Sequence, residues 1–260
     1  MLRRKSRKPA NTSAQQLQYE DWFQTPLGQQ LLANEREVIH RAIKGFYGYH
    51  LLEIPVSHRM PVGRGSLVRH HITAISSWHK DMPDGTLIAQ PHELPFDSDC
   101  MDVVILHHTL DFAEHAHQLL REAARVLVSG GHLVIVGFNP YSLWGVRKAL
   151  GSRKQAPWNG RFLSPVRLED WLALLDFRVK DRHFDFYQPP LHNPGWLHAL
   201  NFMNRWGNRV RLPTGAYYTV VAQKRVAAVI RMKPKWRRLV NVGTMPAVNR
   251  VSREQENECC

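Results

Sequence analysis

The hydrophobic positions in the middle of the chain follow a strand–helix–strand pattern. Two apolar, β-branched runs, 102–106 and 132–136, flank residues 116–127, whose apolar positions recur at helical spacing. Strands that are apolar throughout, joined by a helix, are typical of a parallel sheet covered on both faces. The pattern therefore predicts an α/β fold with a right-handed crossover at this point. We expect residues 129–131, Ser-Gly-Gly, to end the helix.

The flanking segments show the same helical and strand patterns of apolar residues, but less clearly. Residues 19–44 have a helical pattern interrupted at 25–28, and a further helix is predicted over 164–175 with Ser164 as its N-cap. Short strands are predicted at 50–54, 72–75, 86–89, 177–186 and 217–222. The segments 55–69 and 187–215, rich in Pro and Gly, are predicted to be irregular.

The three strands at 50–54, 102–106 and 132–138 have the most buried character. We predict that they are neighbouring parallel strands of one sheet, because continuously apolar strands require neighbours and cover on both faces.

Charge is concentrated at the two ends of the chain, whose formal net charge is +13. Residues 1–10 contain five basic residues and no acid, and no acid lies between Asp185 and Glu254. We therefore expect a basic disordered N-terminus (1–16), a globular domain (17–225) and a basic C-terminal tail (226–260). The basic ends favour an anionic partner such as nucleic acid or phospholipid, and a purely solubilising role stays equally open.

Three features of the composition indicate a cytoplasmic protein. No apolar run approaches the length of about 18–20 residues needed for a transmembrane segment. The basic N-terminus is not followed by the apolar stretch of a secretory signal. The three cysteines, Cys100, Cys259 and Cys260, do not form a disulfide framework, which favours a reducing compartment.

Three motifs in a fixed order resemble those of a known family. They are LPFDSD at 94–99 with MDVV at 101–104, LLREAARVLVSGG at 119–131, and the segment from FLS to LDF over 162–177. Together they resemble the type 11 domain of class I S-adenosylmethionine (SAM) methyltransferases, the group that includes the ubiquinone and menaquinone methyltransferases. The resemblance covers about 19–225 and is strongest over 86–139.

The resemblance implies a Rossmann-like, doubly wound sheet of seven strands, mostly parallel with a reversed last strand. Ligands of such sheets bind beyond the carboxyl ends of the strands. It also implies SAM as the cofactor and methylation of an unidentified acceptor as the reaction. The cofactor-binding residues that it implies are Glu53, Ile54, Pro55, Ser57, Gln90, His92, Glu93 and Leu94.

The chain departs from the family pattern at the cofactor landmarks. Glu53 keeps the acid of the first strand, but Pro-Val-Ser-His at 55–58 stands where the family has a Gly-x-Gly-x-Gly loop that lets backbone approach the methionine of SAM. The family's ribose-binding acid has no counterpart before Asp81. Gln90 stands near the adenine position, where its amide offers both a donor and an acceptor. We therefore expect SAM to bind more weakly than in relatives with the full loop.

His107 and His108 are the candidate catalytic residues. They directly follow the strand 102–106, and histidine titrates near neutral pH, so either can serve as a base for a hydroxyl or acidic-carbon acceptor. The alternative is that they close the pocket or cap the next helix. With His115 and His117 they lack the Cys or carboxylate spacing of a zinc site, so no metal site is predicted.

Two aromatic residues, Tyr141 and Trp144, follow the strand 132–138 at the same edge. They are predicted either to line the acceptor site or to pack as a lid.

Three functions remain open from the sequence. The favoured one is a SAM-dependent methyltransferase. The second is a binding or regulatory protein that keeps the methyltransferase fold without catalysis. The third is an RNA-directed methyltransferase or nucleic-acid binder that uses the basic ends, where Trp196, Trp206 and Trp236 stand among basic residues.

Overall fold

A computed structural model describes residues 12–83, 85–151, 155–190, 207, 209 and 212–226, with side chains described from residue 14 onwards. The strands are β1 (His50–Ile54), β2 (His70–Ile75), β3 (Thr86–Ile88), β4 (Met101–His107), β5 (Leu127–Phe138), β6 (Phe177–Asp185) and β7 (Tyr217–Lys224). The helices are α1 (Thr12–Phe23), α2 (Pro26–Ile43), α3 (Thr109–Phe112), α4 (Ala116–Val126), α5 (Leu143–Leu150) and α6 (Pro165–Leu174).

The seven strands form one sheet in the order β3-β2-β1-β4-β5-β7-β6. Strands β3, β2, β1, β4 and β5 pair in parallel, and β7 runs antiparallel to both of its neighbours, β5 and β6. This confirms the predicted Rossmann-like sheet with a reversed last strand. It also confirms that the strands at 50–54, 102–106 and 132–138 are parallel neighbours.

Both faces of the central strands are buried, which explains their uniformly apolar sequence. Alternate residues point to opposite faces, so Val103 and Ile105 of β4 pack in one core and Val104 and Leu106 in another. The first core is covered by α1 and α2, and the second by α4 and α6. No helix in the described part of the chain combines the length and the apolarity needed to cross a membrane.

Helix α4 ends at Val126, so the prediction that residues 129–131 terminate it was wrong. Its last carbonyls are bound by the segment that leads into β4: Asp99 N donates to Arg125 O and Cys100 N to Val126 O, both at 2.9 Å. Gly130 instead adopts a left-handed φ of 87° within β5. A Cβ at Gly131 would lie 2.9 Å from the Asp102 carbonyl, so this glycine allows β4 and β5 to approach.

Helix α1 begins at Thr12, five residues before the expected domain boundary at residue 17. Gln16 is buried, and its Nε2 donates to the Val56 carbonyl at 2.7 Å. Tyr19 donates to the Pro157 carbonyl at 3.0 Å. These contacts order the start of the helix. Residues 1–11 and 227–260, which hold most of the two basic ends, lie outside the described residues.

Candidate active site

The carboxyl ends of β1 and β4 lie side by side at the point where the strand order changes direction. Ile54, the last residue of β1, pairs with Leu106 of β4. The hydroxyl of Thr109, at the start of α3, donates to the Ile54 carbonyl at 2.7 Å and joins the two strand ends. This is the edge at which open α/β sheets bind their ligands.

Both predicted catalytic histidines lie at this edge and are fully buried. Each binds one oxygen of the same carboxylate: His107 Nε2 lies 2.9 Å from Glu35 Oε2, and His108 Nε2 lies 2.8 Å from Glu35 Oε1. Glu35 belongs to α2 and is itself completely buried. The helix therefore covers the end of β4 through a charged group rather than through apolar contacts alone.

His108 lies between two carboxylates. Its Nδ1 is 2.7 Å from Asp111 Oδ2, which also accepts from Phe138 N at 3.1 Å. Burial opposes a charge on the imidazole, but the charge of Glu35 and the hydrogen bonds to Asp111 and Glu35 outweigh burial and raise the pKa of His108 to about 9. His108 is therefore an imidazolium at neutral pH, and it has no lone pair with which to accept a proton.

Glu35 shows the reciprocal effect. Burial opposes its ionisation, but the charge on His108 and the hydrogen bonds from both histidines lower its pKa to about 2. The pKa of Asp111 is raised by burial, with the contacts to His108 acting in the opposite direction. The ion pair between Glu35 and His108 is thus the charged centre of the site.

His107 is the neutral member of this group. Burial lowers its pKa against the opposing influence of Glu35. An ionised carboxylate only accepts hydrogen bonds, so the nitrogen that faces Glu35, Nε2, carries the proton. The remaining nitrogen, Nδ1, is a buried acceptor with no hydrogen-bond partner among the described residues.

Among the described residues, Glu35, His107 and His108 form a group whose donor atoms all lie within 4.8 Å of one another. This spacing by itself suits a cation. In the absence of a bound ion, both nitrogens that face Glu35 carry protons, which a metal would have to displace.

The second predicted part of the site is the loop after β1. Glu53 Oε1 accepts from Val62 N at 2.5 Å and Oε2 accepts from Gly63 N at 3.0 Å. Burial raises the pKa of Glu53 in opposition to these two hydrogen bonds. Pro55 and Ser57 are buried in the same loop. Two backbone amides of the loop thus supply hydrogen bonds to both oxygens of Glu53.

The adenine side of the predicted site divides into two parts. Gln90 and His92 line a cavity of about 50 Å³ together with Thr109 and Phe112. Glu93 is exposed and is not part of the cavity wall. Leu94 is buried, and its backbone serves a structural pair: its N–H donates to Glu122 Oε2 at 3.3 Å, and its carbonyl accepts from Arg125 Nη2 at 3.1 Å.

The first acid after β2, Asp81, is engaged by basic side chains. Arg59 Nη2 lies 2.7 Å from Asp81 Oδ2, and His58 Nε2 lies 3.3 Å from Oδ1. The hydrogen bond from Arg59 lowers the pKa of Asp81 to about 2. Its oxygens are therefore not free to receive ribose hydroxyls in this arrangement.

Trp144 and Tyr141 differ in their burial. Trp144 is buried, stacks on Phe138 at 5.8 Å and donates its Nε1 to the Gln188 carbonyl at 2.9 Å, so it packs as part of the cover over β5. Tyr141 is exposed and lines none of the cavities described for this site.

Sequence comparison identifies the family. A family model described as "Methyltransferase domain" matches residues 72–135. The uncharacterized protein YafS of Escherichia coli K12 is 35% identical over 173 residues, which span 66% of this chain and 70% of YafS. The chain belongs to the class I SAM-dependent methyltransferase family. It is a methyltransferase whose acceptor these comparisons do not identify.

Solved structures support the fold. A SAM-dependent methyltransferase from Thermotoga maritima, described as a possible histamine N-methyltransferase, has a TM-score of 0.59 at 18% identity, covering 80% of this chain and 95% of that one. A SAM-dependent methyltransferase from Archaeoglobus fulgidus has a TM-score of 0.55, also at 18% identity, covering 80% and 99%.

Only the adenine side has residues whose chemistry suits SAM. On the adenine side, the Gln90 amide and the apolar wall suit a purine in kind, although about 50 Å³ holds only a few water molecules. On the methionine side, Val56, Met60 and Val62 are packed into the core and the Glu53 carboxylate is already satisfied. In this conformation that end does not accommodate the cofactor.

Two members of the buried network, Glu35 and Asp111, were missed by the sequence analysis. A signal for Glu35 was present, since it is the charged residue inside the apolar helical stripe that contains Leu31, Leu32 and Val38. Asp111 lies three residues after His108, which places it within reach at the start of a helix. Nothing local to either residue indicated that the two would meet the same imidazole.

Proposed function

We propose that this methyltransferase acts at the edge between β1 and β4 on an acceptor whose attacking atom carries a proton, such as a hydroxyl or an acidic carbon. The observation that carries the proposal is the neutral imidazole of His107, the last residue of β4, whose Nδ1 is buried without a partner among the described residues. Such a nitrogen can take a proton at neutral pH once the side chains around it open to admit the acceptor.

The two histidines then have different roles. His107 receives the proton at Nδ1, while Glu35 holds its Nε2–H and sets the tautomer. His108, already protonated, fixes the Glu35 carboxylate and acts as a positioning residue. From the sequence alone, the two histidines were equivalent candidates for the base, whereas their hydrogen-bond partners favour His107.

SAM, when bound, supplies an activated methyl group. The residues proposed to hold it are the expected ones: Glu53, Ile54, Pro55 and Ser57 on the methionine side, and Gln90, His92, Glu93 and Leu94 on the adenine side. Because the amides of Val62 and Gly63 occupy the Glu53 carboxylate, binding requires this loop to move. We therefore expect modest affinity.

Calorimetry with SAM and with its demethylated product, S-adenosylhomocysteine (SAH), tests the binding proposal. Gln90→Ala is expected to weaken SAH binding by about tenfold, the equivalent of one hydrogen bond. Gln118→Ala, an exposed glutamine on α4, is the matched control and is expected to bind like the wild type. Absence of SAH binding at millimolar concentration would instead support a methyltransferase fold that has lost catalysis.

Nitrogen NMR of the imidazole rings tests the assignment of the base without knowledge of the acceptor. We expect His107 to be neutral with its proton on Nε2 at pH 7, and His108 to carry two protons up to about pH 9. A charged His107 at pH 7 contradicts the proposed role.

A further inference from the structure

A second, larger cavity lies beside the site, between α2 and the loops that follow β1 and β2. Its volume is about 670 Å³, which is within the range of small-molecule sites. Three arginines contribute to its wall: Arg36 from α2, and Arg59 and Arg64 from the loop after β1. The acids in the wall are Glu37 and Asp81.

The charges of this wall do not cancel. Arg59 is paired with Asp81 at 2.7 Å and with Glu20 at 3.2 Å. Glu37 faces Arg41 of the same helix at 4.0 Å. The two acids of the wall are therefore already matched by other basic residues.

Two guanidinium groups, those of Arg36 and Arg64, remain without a carboxylate in ion-pair contact among the described residues. Arg36 is held in place by a hydrogen bond from its Nε to the Pro61 carbonyl at 3.1 Å, which leaves its terminal nitrogens free to bind. Both guanidinium charges act to lower the pKa of the buried Glu53, whose two oxygens already accept hydrogen bonds from backbone amides.

The same cavity contains a buried histidine with one unused polar atom. His58 lines the wall and is only 6% exposed; its Nε2 contacts the Asp81 carboxylate, whereas its Nδ1 makes no hydrogen bond among the described residues. Its Nε2 lies 3.3 Å from Asp81 Oδ1, and its Nδ1 has no polar neighbour of this kind. Buried polar atoms are normally satisfied, so this ring indicates a missing partner.

The geometry points to a binding site for an anionic small molecule in this cavity, with its phosphate or carboxylate group held by Arg36 and Arg64 and a further polar group reached by His58. Guanidinium groups bind both of these anions through paired, charge-assisted hydrogen bonds. The site is distinct from the Glu35 network and does not depend on the proposed role of His107.

Calorimetry with inorganic pyrophosphate, using the full chain, tests this site. Arg36→Gln and Arg64→Gln are each expected to weaken binding by about tenfold to a hundredfold, since each removes a charged hydrogen-bond donor. Arg69→Gln in the same loop and Arg121→Gln on α4 are matched controls, because both are exposed and neither lines the cavity. Arg64 makes no described hydrogen bond, so its replacement leaves the fold intact.

Selective loss in the two cavity variants, together with a shift of the His58 ring signals on adding pyrophosphate, supports the site. Equal binding by all four variants, or no binding by the wild type, overturns it.

A titration with SAH already bound identifies the source of the anion. Competition assigns the subsite to the carboxylate of the cofactor, and simultaneous binding assigns it to another anionic molecule. The proposed function is judged separately by the effect of Gln90→Ala on SAH, so the two proposals can fail independently.

Discussion

Two buried glutamates lie near the carboxyl ends of β1 and β4, and they are stabilised in opposite ways. Glu53, at the end of β1, is held by two neutral backbone amides, and burial raises its pKa. Glu35, from α2, is held by two imidazoles, one of them charged, and its pKa falls to about 2. Both carboxylates are almost fully buried, so the difference lies in their partners.

The comparison shows that hydrogen bonds alone do not compensate a buried carboxylate as an opposite charge does. Glu53 can lose its charge without breaking an ion pair, because Arg36 and Arg64 act on it from beyond ion-pair distance. This suits a loop that must rearrange. Glu35 cannot, because its loss strands the imidazolium of His108 in the core. The β1 side is therefore the adaptable half of the edge and the β4 side is the rigid half.

The largest effect is expected for Glu35→Ala. Removing one partner of a buried ion pair costs about 3–5 kcal/mol of unfolding free energy, because the other charge remains buried. Urea denaturation measures this loss. Glu37→Ala, two residues along the same helix and exposed, is the control and should change stability by less than about 1 kcal/mol. Equal stability of Glu35→Ala and Glu37→Ala would show that the Glu35 ion pair does not stabilise the fold.

The next effect is a pH dependence confined to the β4 side. The pKa of His108 is about 9 in the folded protein and 6.5 ordinarily, so its stabilising contribution is complete below pH 6.5 and is lost as the pH rises through 9. Glu35 contributes above pH 4.5 and loses its contribution as the pH falls through about 2.

The stability of the wild type relative to His108→Gln should therefore shrink by about 3 kcal/mol between pH 6 and pH 9.5. Groups outside the Glu35–His108 network titrate alike in both proteins and cancel in this difference. A gap that stays constant over this range would show that His108 is not charged in the fold.

A smaller effect is expected for Glu53→Gln. The amide can accept only through its one oxygen, so either the Val62 or the Gly63 N–H loses its acceptor, at a cost of about 1–3 kcal/mol. No unpaired charge is left, so the loss should be smaller than for Glu35→Ala. Thermal denaturation compares the two, with the exposed Glu93→Gln as control. A loss as large as that of Glu35→Ala would contradict the contrast between the two sides.

The smallest effect concerns the hydrogen bond that joins the two sides. Thr109→Val removes the donor to the Ile54 carbonyl and should cost about 1 kcal/mol. Thr86→Val removes a similar but exposed hydrogen bond, to the Pro83 carbonyl, and should cost less. If the two variants lose equal stability in urea, the buried Thr109 hydrogen bond contributes no more to stability than the exposed Thr86 hydrogen bond.

The central strands were predictable because their burial on both faces leaves a local trace. The runs at 102–106 and 132–138 were predicted to be buried strands; the first pairs with β1, and the second pairs with the first. The end of α4 was not predictable from Gly130 and Gly131, since Gly131 allows a close approach to β4 and Gly130 supplies a left-handed turn within β5. The start of α1 at Thr12 was not predictable for a similar reason, because Gln16 is held by a contact with Val56, which is distant in sequence.

What the sequence determined by itself was the family, the sheet and the edge at which His107 and His108 would lie. Periodicity and motif spacing record which faces are buried and which residues follow each strand. Only the tertiary structure decided which histidine is charged, because that depends on Glu35, more than seventy residues away, and on Asp111 facing the same ring. The charge of a buried group is set by the neighbours that share its low-dielectric surroundings, and distance along the chain does not encode them.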